Sequence, residues 1–290
     1  MGWRFRLCNR SPITLKNLII YFACSSRNGY SSVADENGLG RDVNETVQNL
    51  TSCDIINCDM LKKRNWRCSM FKSKRRPIGI PQSEHLRLVG TLAMLWGNAD
   101  FDFPPVERNS MIMGMGLHDR GYGLLDNFPI GGMSAEEWNG IARRGFSMQY
   151  SDIVADTIAK YHIRRLASHD ESAERKAMTA EFSKIIDEQL KQHNLSKELF
   201  DRLDRITNFC DSISFDFCMD VPDSGEVSIF PRNGQDMEVS VQYSVEDAVI
   251  NVAPWPFSVD YHEGYLIAYQ LVGYPERLDP SILPYRLQRK

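Results

Sequence analysis

The chain has 290 residues, 42% of them hydrophobic and 25% charged, with a formal net charge of -4 and a pI of about 5.9. That balance suits an ordinary globular protein and gives no basic footprint for nucleic acid. No run approaches the roughly 18 apolar residues that cross a bilayer, and the 7 cysteines, odd in number and without a Cys-x-x-Cys pair, support neither a disulfide framework nor a zinc knuckle.

Residues 1–59 are rich in Ser, Asn, Asp and Gly from Ser25 onward and show weak hydrophobic periodicity. They read as a poorly ordered extension, or as sequence upstream of a true start at Met60 or Met70. Arg4, Arg6, Arg10 and Lys16 precede a short apolar run, Leu18 to Cys24, so a targeting peptide is the alternative. The short run and the lack of a clean cleavage site make a cytoplasmic protein the expectation. Residues 60–80 form a basic entry segment with Lys62, Lys63, Arg64, Arg67, Lys72, Lys74, Arg75 and Arg76. With few aromatics it reads as a solvated lead-in rather than a nucleic-acid arm.

From residue 81 the pattern turns helical. Ser83 is a candidate N-cap for a helix to about Gly97, with His85, Val89, Leu92 and Trp96 on one face. A second helix is expected over Glu107 to His118, where Met111, Gly114, Met115 and His118 share a face. Glycine loops follow at Gly121 to Gly123 and Gly131-Gly132. Further helices are expected over Ser151–Ala167, over the charged segment Glu171–His193, and over Ser196–Met219. After Pro222 the period becomes 2, with strands expected at Val239–Tyr243, Ala248–Val252 and Tyr265–Tyr269. The expected fold is mainly α: a helical bundle over 81–222 with a small antiparallel sheet in 223–290 packed on the same domain.

Several polar residues sit where burial is costly without a partner. His85 lies on the apolar face of its helix. His118-Asp119 closes an apolar helix. Asp211 is set among Ile206, Phe209, Cys210, Ile213 and Phe217. Buried carboxylates are paired or hold a metal, and one divalent ion held by His85, His118, Asp119 and Asp211 would account for all four. Such a mixed N/O set suits Mn, Fe, Zn, Ni, Co or Mg without choosing among them.

The order His85, then His118-Asp119, then Asp211 resembles the HD-domain superfamily of metal-dependent phosphohydrolases. The wider run is similar to a family of HD-like bacterial proteins of unknown function. It comprises Gln82-Ser83-Glu84-His85, His118-Asp119-Arg120-Gly121-Tyr122, Asp126, Asp211-Ser212-Ile213-Ser214 and Pro254-Trp255-Pro256-Phe257. This sequence carries Arg120 where a second acid is common and Tyr122 where Trp is common. The resemblance implies an HD-like helical bundle and hydrolysis of a phosphate ester or nucleotide by a metal-bound hydroxide.

Other residues have assignable roles on sequence grounds. Asp126, Glu84 and Asp119 itself are the candidate bases, with Asp126 equally readable as a turn residue. Arg120, Arg143 and Arg164 are the candidate cations for a small anionic substrate. His162 is either a ligand or substrate contact or a structural histidine. Pro254 to Phe257 is a lid or, on balance, core packing. Alternative functions are a non-catalytic metal- or ligand-binding protein and a metal-dependent oxygenase. The sequence gives no oligomeric state.

Overall fold

Phe71, Ile78 and Ile80 stand apolar among the basic residues of the entry segment, and all three are buried. They build a hairpin of two strands, β1 (Phe71–Lys72) and β2 (Ile78–Ile80), paired Phe71 to Ile80. The turn between them is pinned. Ser73 Oγ accepts from the backbone N–H of Arg76 at 2.8 Å and donates to Asp220 at 2.5 Å, and Arg75 and Arg76 both reach the Asp220 carboxylate. This end of the basic segment therefore joins the fold instead of lying free in solvent. The computed structural model describes residues 71–290, apart from 128–132, 221 and 275–276. The extension 1–59, the cations Lys62, Lys63, Arg64 and Arg67, and Gly131-Gly132 lie outside the described residues.

Helices α1 (Gln82–Leu95), α2 (Arg108–Gly116), α3 (Ala135–Ser147), α4 (Ile153–Ala167), α5 (Ala173–Gln192) and α6 (Lys197–Met219) follow. Ser83 does not cap α1, which begins one residue earlier after Pro81. The N–H of Gln82 is satisfied by Asp126 Oδ1 at 2.9 Å, from the short 3-10 helix Tyr122–Asn127. Helix α3 was not expected. Its signature is nonetheless in the sequence: Ser134 and Glu137 form a reciprocal capping box. Asp152, Ser172 and Ser196 cap α4, α5 and α6 with their side chains.

Strands β3 (Asp223–Ile229), β4 (Val239–Glu246), β5 (Val249–Ala253), β6 (Tyr261–Gln270) and β7 (Pro280–Arg289) complete the chain. All seven strands form one sheet in the order β1-β2-β6-β7-β5-β4-β3. The pairs are antiparallel except β5 with β7, which run parallel with Val249 opposite Arg286. The expectation of a mainly α bundle with a small antiparallel sheet is therefore incorrect: among the described residues strand makes up 22% and helix 46%, and the sheet is large and mixed. The reason is topological. The N-terminal hairpin precedes the helices yet pairs with β6, Ile78 opposite Gln270. The helical stretch thus leaves one side of the sheet at β2 and returns at its far edge at β3.

One sheet face is apolar by alternation, with Val241, Tyr243 and Val245 of β4 and Leu283, Tyr285 and Leu287 of β7 buried. Helix α6 packs on it over β3 and β4, and α1 over β6. Trp96, Phe101, Phe209 and Phe257 meet edge to face or tilted where the helices join the sheet. Pro254 to Phe257 is therefore core packing, with Trp255 and Phe257 buried. Burying a side chain of this class contributes about 1.5–3 kcal/mol. No helix among the described residues is long and apolar enough to cross a membrane.

Candidate metal centre

Helix α1 buries His85 beside Leu88, Val89 and Leu92. Ser214 of α6 donates to the backbone carbonyl of His85 at 3.0 Å, which holds α1 against the helix that carries Asp211. Helix α2 ends at Gly116, so His118 and Asp119 lie in the turn beyond it. That turn is held by close backbone contact. Gly121 has φ +89°, and a Cβ there would lie 2.7 Å from Gly145 Cα of α3. A side chain at Gly145 would in turn strike the carbonyl of Arg120.

Three donor atoms group at ligand spacing, with a fourth close to two of them. The Nε2 atoms of His85 and His118 are 3.2 Å apart. Asp211 Oδ1 is 3.3 and 3.4 Å from them, and Asp119 Oδ2 is 3.6 and 3.7 Å from them. Ligands about 2.1 Å from a common ion stand about 3.4 Å apart in a tetrahedron and about 3.0 Å apart in an octahedron. The spacing of His85, His118 and Asp211 fits a shared divalent ion, and Asp119 Oδ2 lies beside them, somewhat farther from both imidazoles. The two imidazoles are buried, at 1% and 0% side-chain exposure, whereas Asp119 and Asp211 keep 12% and 15%. The carboxylates thus open toward the cavity.

Tautomers follow from the partners. His118 Nδ1 faces the carbonyl of Met115 at 2.7 Å, which can only accept. The Nδ1 proton is thereby fixed, and in the neutral ring Nε2 presents a lone pair to the centre. His162 is the converse case. The Arg165 guanidinium, which can only donate, lies 2.8 Å from His162 Nδ1. His162 Nδ1 must therefore be the acceptor, and its Nε2–H donates to Asp119 Oδ1 at 2.8 Å. His162 orients Asp119 and is not free to ligate. A buried His118, Asp119, His162 grouping also has ligand spacing, but Arg165 holds His162 in the wrong tautomer for it.

Burial disfavours charge at His118, but Asp119 and Asp211 beside it hold its pKa above the usual value. Burial and the nearby His118 push His162 below the usual value, so it stays neutral. Burial opposes ionisation of both acids. Asp119 is nevertheless drawn down to about 2 by His118 and His162, and hydrogen bonds from His118 and His85 hold Asp211 well below the carboxylate range.

Gln82, Asp119, His162 and Asp211 form the polar floor of a cavity of about 300 Å³ whose walls are Phe71, Tyr122, Trp138, Leu166, Arg175 and Phe215. A family model described as a protein of unknown function (DUF3891) matches residues 141–269. The matched stretch includes His162 and Asp211 and stops short of His85 and His118-Asp119. No curated protein and no solved structure matches the chain.

The structure brings His85, His118, Asp119, Asp211 and His162 together. It does not bring the remaining candidates to the cavity. Asp126 caps α1, and burial pushes it up to about 6 against the Gln82 N–H. Glu84 accepts from Arg87 at 2.6 Å and from the N–H of Ile267 at 2.7 Å, facing the sheet. Arg120 is buried, donating to Asp156 at 2.6 Å and to the carbonyl of Gly145 at 2.8 Å. Arg143 is exposed and pairs with Glu181. Arg164 lies over the Tyr161 ring. Its neighbour Arg165, three residues after His162 and so on the same helical face, is the arginine that reaches the site. Gln82, likewise three residues before His85, donates to Asp119 Oδ2 at 2.6 Å. Both were readable from helical spacing.

Proposed function

We propose that this protein binds one divalent ion through His85, His118, Asp119 and Asp211 and hydrolyses a small phosphate ester in the adjoining cavity. The observation that carries the reading is the grouping of His85, His118 and Asp211 at ligand spacing, with Asp119 beside the two imidazoles, on the floor of a partly open pocket. The ligand order is that of the HD-type proteins, here carried on a helical layer backed by a mixed sheet. An ion held there supplies Lewis acidity to water and to a phosphoryl oxygen.

The chain's own residues do the rest. His162 and Gln82 fix both oxygens of Asp119, so its free lone pairs point in one direction. Arg165 locks His162 and stands 3.8 Å from Asp211 Oδ2, which ties the two acids into one frame. Phe71 and Phe215 shield one side of the floor from water. Turnover of a panel of phosphomonoesters and diesters tests the proposal. Wild type loaded with metal should release phosphate or alcohol, and Asp211→Asn should not. Equal rates for the two proteins would remove the reading.

A second reading, capture of a ligand without turnover, is favoured by one observation. Among the described residues, the only carboxylates lining the cavity are Asp119 and Asp211, the proposed ligands themselves. Binding of a phosphoester with no release of product across the panel would select it.

A further inference from the structure

The arginines around the centre differ in what they are free to do. Arg120 is committed to Asp156 and Gly145 through two of its nitrogens, with Nη2 unpaired away from the cavity, and Arg165 to His162, Asp204 and Asn208. Arg175 is not committed. It lies in the first turn of α5, its backbone N–H held by the capping Ser172, and its side chain forms part of the cavity wall. Its Nε is buried without a hydrogen-bond partner. A guanidinium nitrogen withdrawn from water and left unpaired is costly unless a ligand completes it. Arg175, Asp119 and Asp211 line the same cavity, so the guanidinium and the proposed metal ligands face one compartment.

The other walls are apolar and flat. Phe71 and Phe215 meet edge to face with centroids 5.6 Å apart, and Tyr122 and Trp138 lie tilted at 5.9 Å. Phe215 is 43% exposed despite its size, so an aromatic face is open at the mouth. A cavity of about 300 Å³ is at the small end for organic ligands. One unpaired fork-shaped cation beside an ion site suits a tetrahedral oxyanion, which can offer oxygens to both at once. Aromatic walls suit a flat ring attached to it.

We infer that Arg175 is the anion anchor of this cavity and that its ligand is a small phosphomonoester whose ester group is a flat aromatic body. The inference rests on the metal-centre reading for the second contact of the phosphoryl group. The anchor itself stands on the unpaired, buried Nε of Arg175 in the cavity wall. The anion bridges the ion and Arg175, and the ring lies against Phe215 and Trp138.

Calorimetric titration of the full chain with phenyl phosphate and with inorganic phosphate tests this, each run on metal-loaded and chelator-stripped protein with metal content measured in the same samples. Wild type should bind phenyl phosphate at least tenfold more tightly than inorganic phosphate. Arg175→Gln should weaken phenyl phosphate by tenfold or more with metal content unchanged, and Arg175→Lys should recover part of the loss. Phe215→Ala should abolish the preference for phenyl phosphate while leaving inorganic phosphate binding as it was. Arg205→Gln, a surface arginine paired with Glu238, should match wild type. Wild-type affinity in Arg175→Gln would overturn the anchor, and equal affinity for the two probes would overturn the aromatic class. Failure of any preparation to bind phenyl phosphate would overturn both. If wild type takes up no metal, the hydrolase reading fails separately, and the Arg175 comparison on the stripped protein still decides the anchor.

Discussion

Two clusters of buried charge share the same helices, and they are built on opposite plans. Asp156 on α4 is closed by cations of the chain itself: Arg120 at 2.6 Å, Lys160 at 2.7 Å, with Gln189 at 3.2 Å completing it. Asp119 and Asp211 are faced by imidazoles, with Arg165 only at the edge, and both open onto a cavity. The first cluster pairs its acid with two cations, leaving only Arg120 Nη2 without a partner, and ties the turn after α2 to α4 and α5. The second has its lone pairs converging on a point, which is the arrangement that accepts a cation from outside. A buried polar group is thus no sign of function until its partners are counted.

The contrast can be broken most forcefully at Arg120. Arg120→Met leaves Asp156 short of a buried partner and should cost about 3–5 kcal/mol of stability, read by denaturant unfolding, with metal stoichiometry of the folded protein retained. Retained stability with lost metal would instead move Arg120 into the metal centre. The same cluster gives a pH dependence. Burial alone would raise the Asp156 pKa, but Lys160 and Arg120 hold it below the usual carboxylate value. A depressed folded pKa contributes stability that is present above the unfolded value of about 3.9 and lost as pH falls through the folded one. Asp156→Asn should therefore flatten the acid limb of the stability profile below about pH 4; an unchanged acid limb would mean the pair is not linked to folding.

A smaller effect is expected at the residues that orient Asp119. His162→Phe and Arg165→Met should each weaken metal affinity by about 10–100-fold, as loss of an orienting partner does, while stoichiometry at saturating metal stays at that of wild type. Loss of the ion altogether in His162→Phe would make His162 a ligand and refute the tautomer argument. Smallest is Asp126→Ala, which removes the cap of α1 and should cost about 1 kcal/mol without altering metal affinity or any turnover. A drop in turnover at unchanged stability would restore Asp126 as a base.

That His85, His118, Asp119 and Asp211 would lie together was legible because His85 and Asp211 are polar residues on apolar helical faces and His118-Asp119 follows an apolar helix. The sheet was less legible. β3 reads Asp-Ser-Gly-Glu at its start, and β7 carries Pro280 and Pro284, so neither alternates cleanly. The pairing of β2 with β6 joins residues nearly 200 apart, which no local pattern encodes. The roles of Asp126 and Arg120 were misread for a related reason: their partners, Gln82 and Asp156, are set by tertiary packing. Arg175 is one charge among many in an amphipathic helix, and only the walls around it set it apart.

The central claim is tested most directly by the metal content of the purified full chain beside that of His118→Ala/Asp119→Ala. The account predicts bound divalent metal in the wild type after exposure to the ion, and none in the variant, with both folded. Absence of metal from the wild type even after reconstitution, or its retention by the variant, would contradict it.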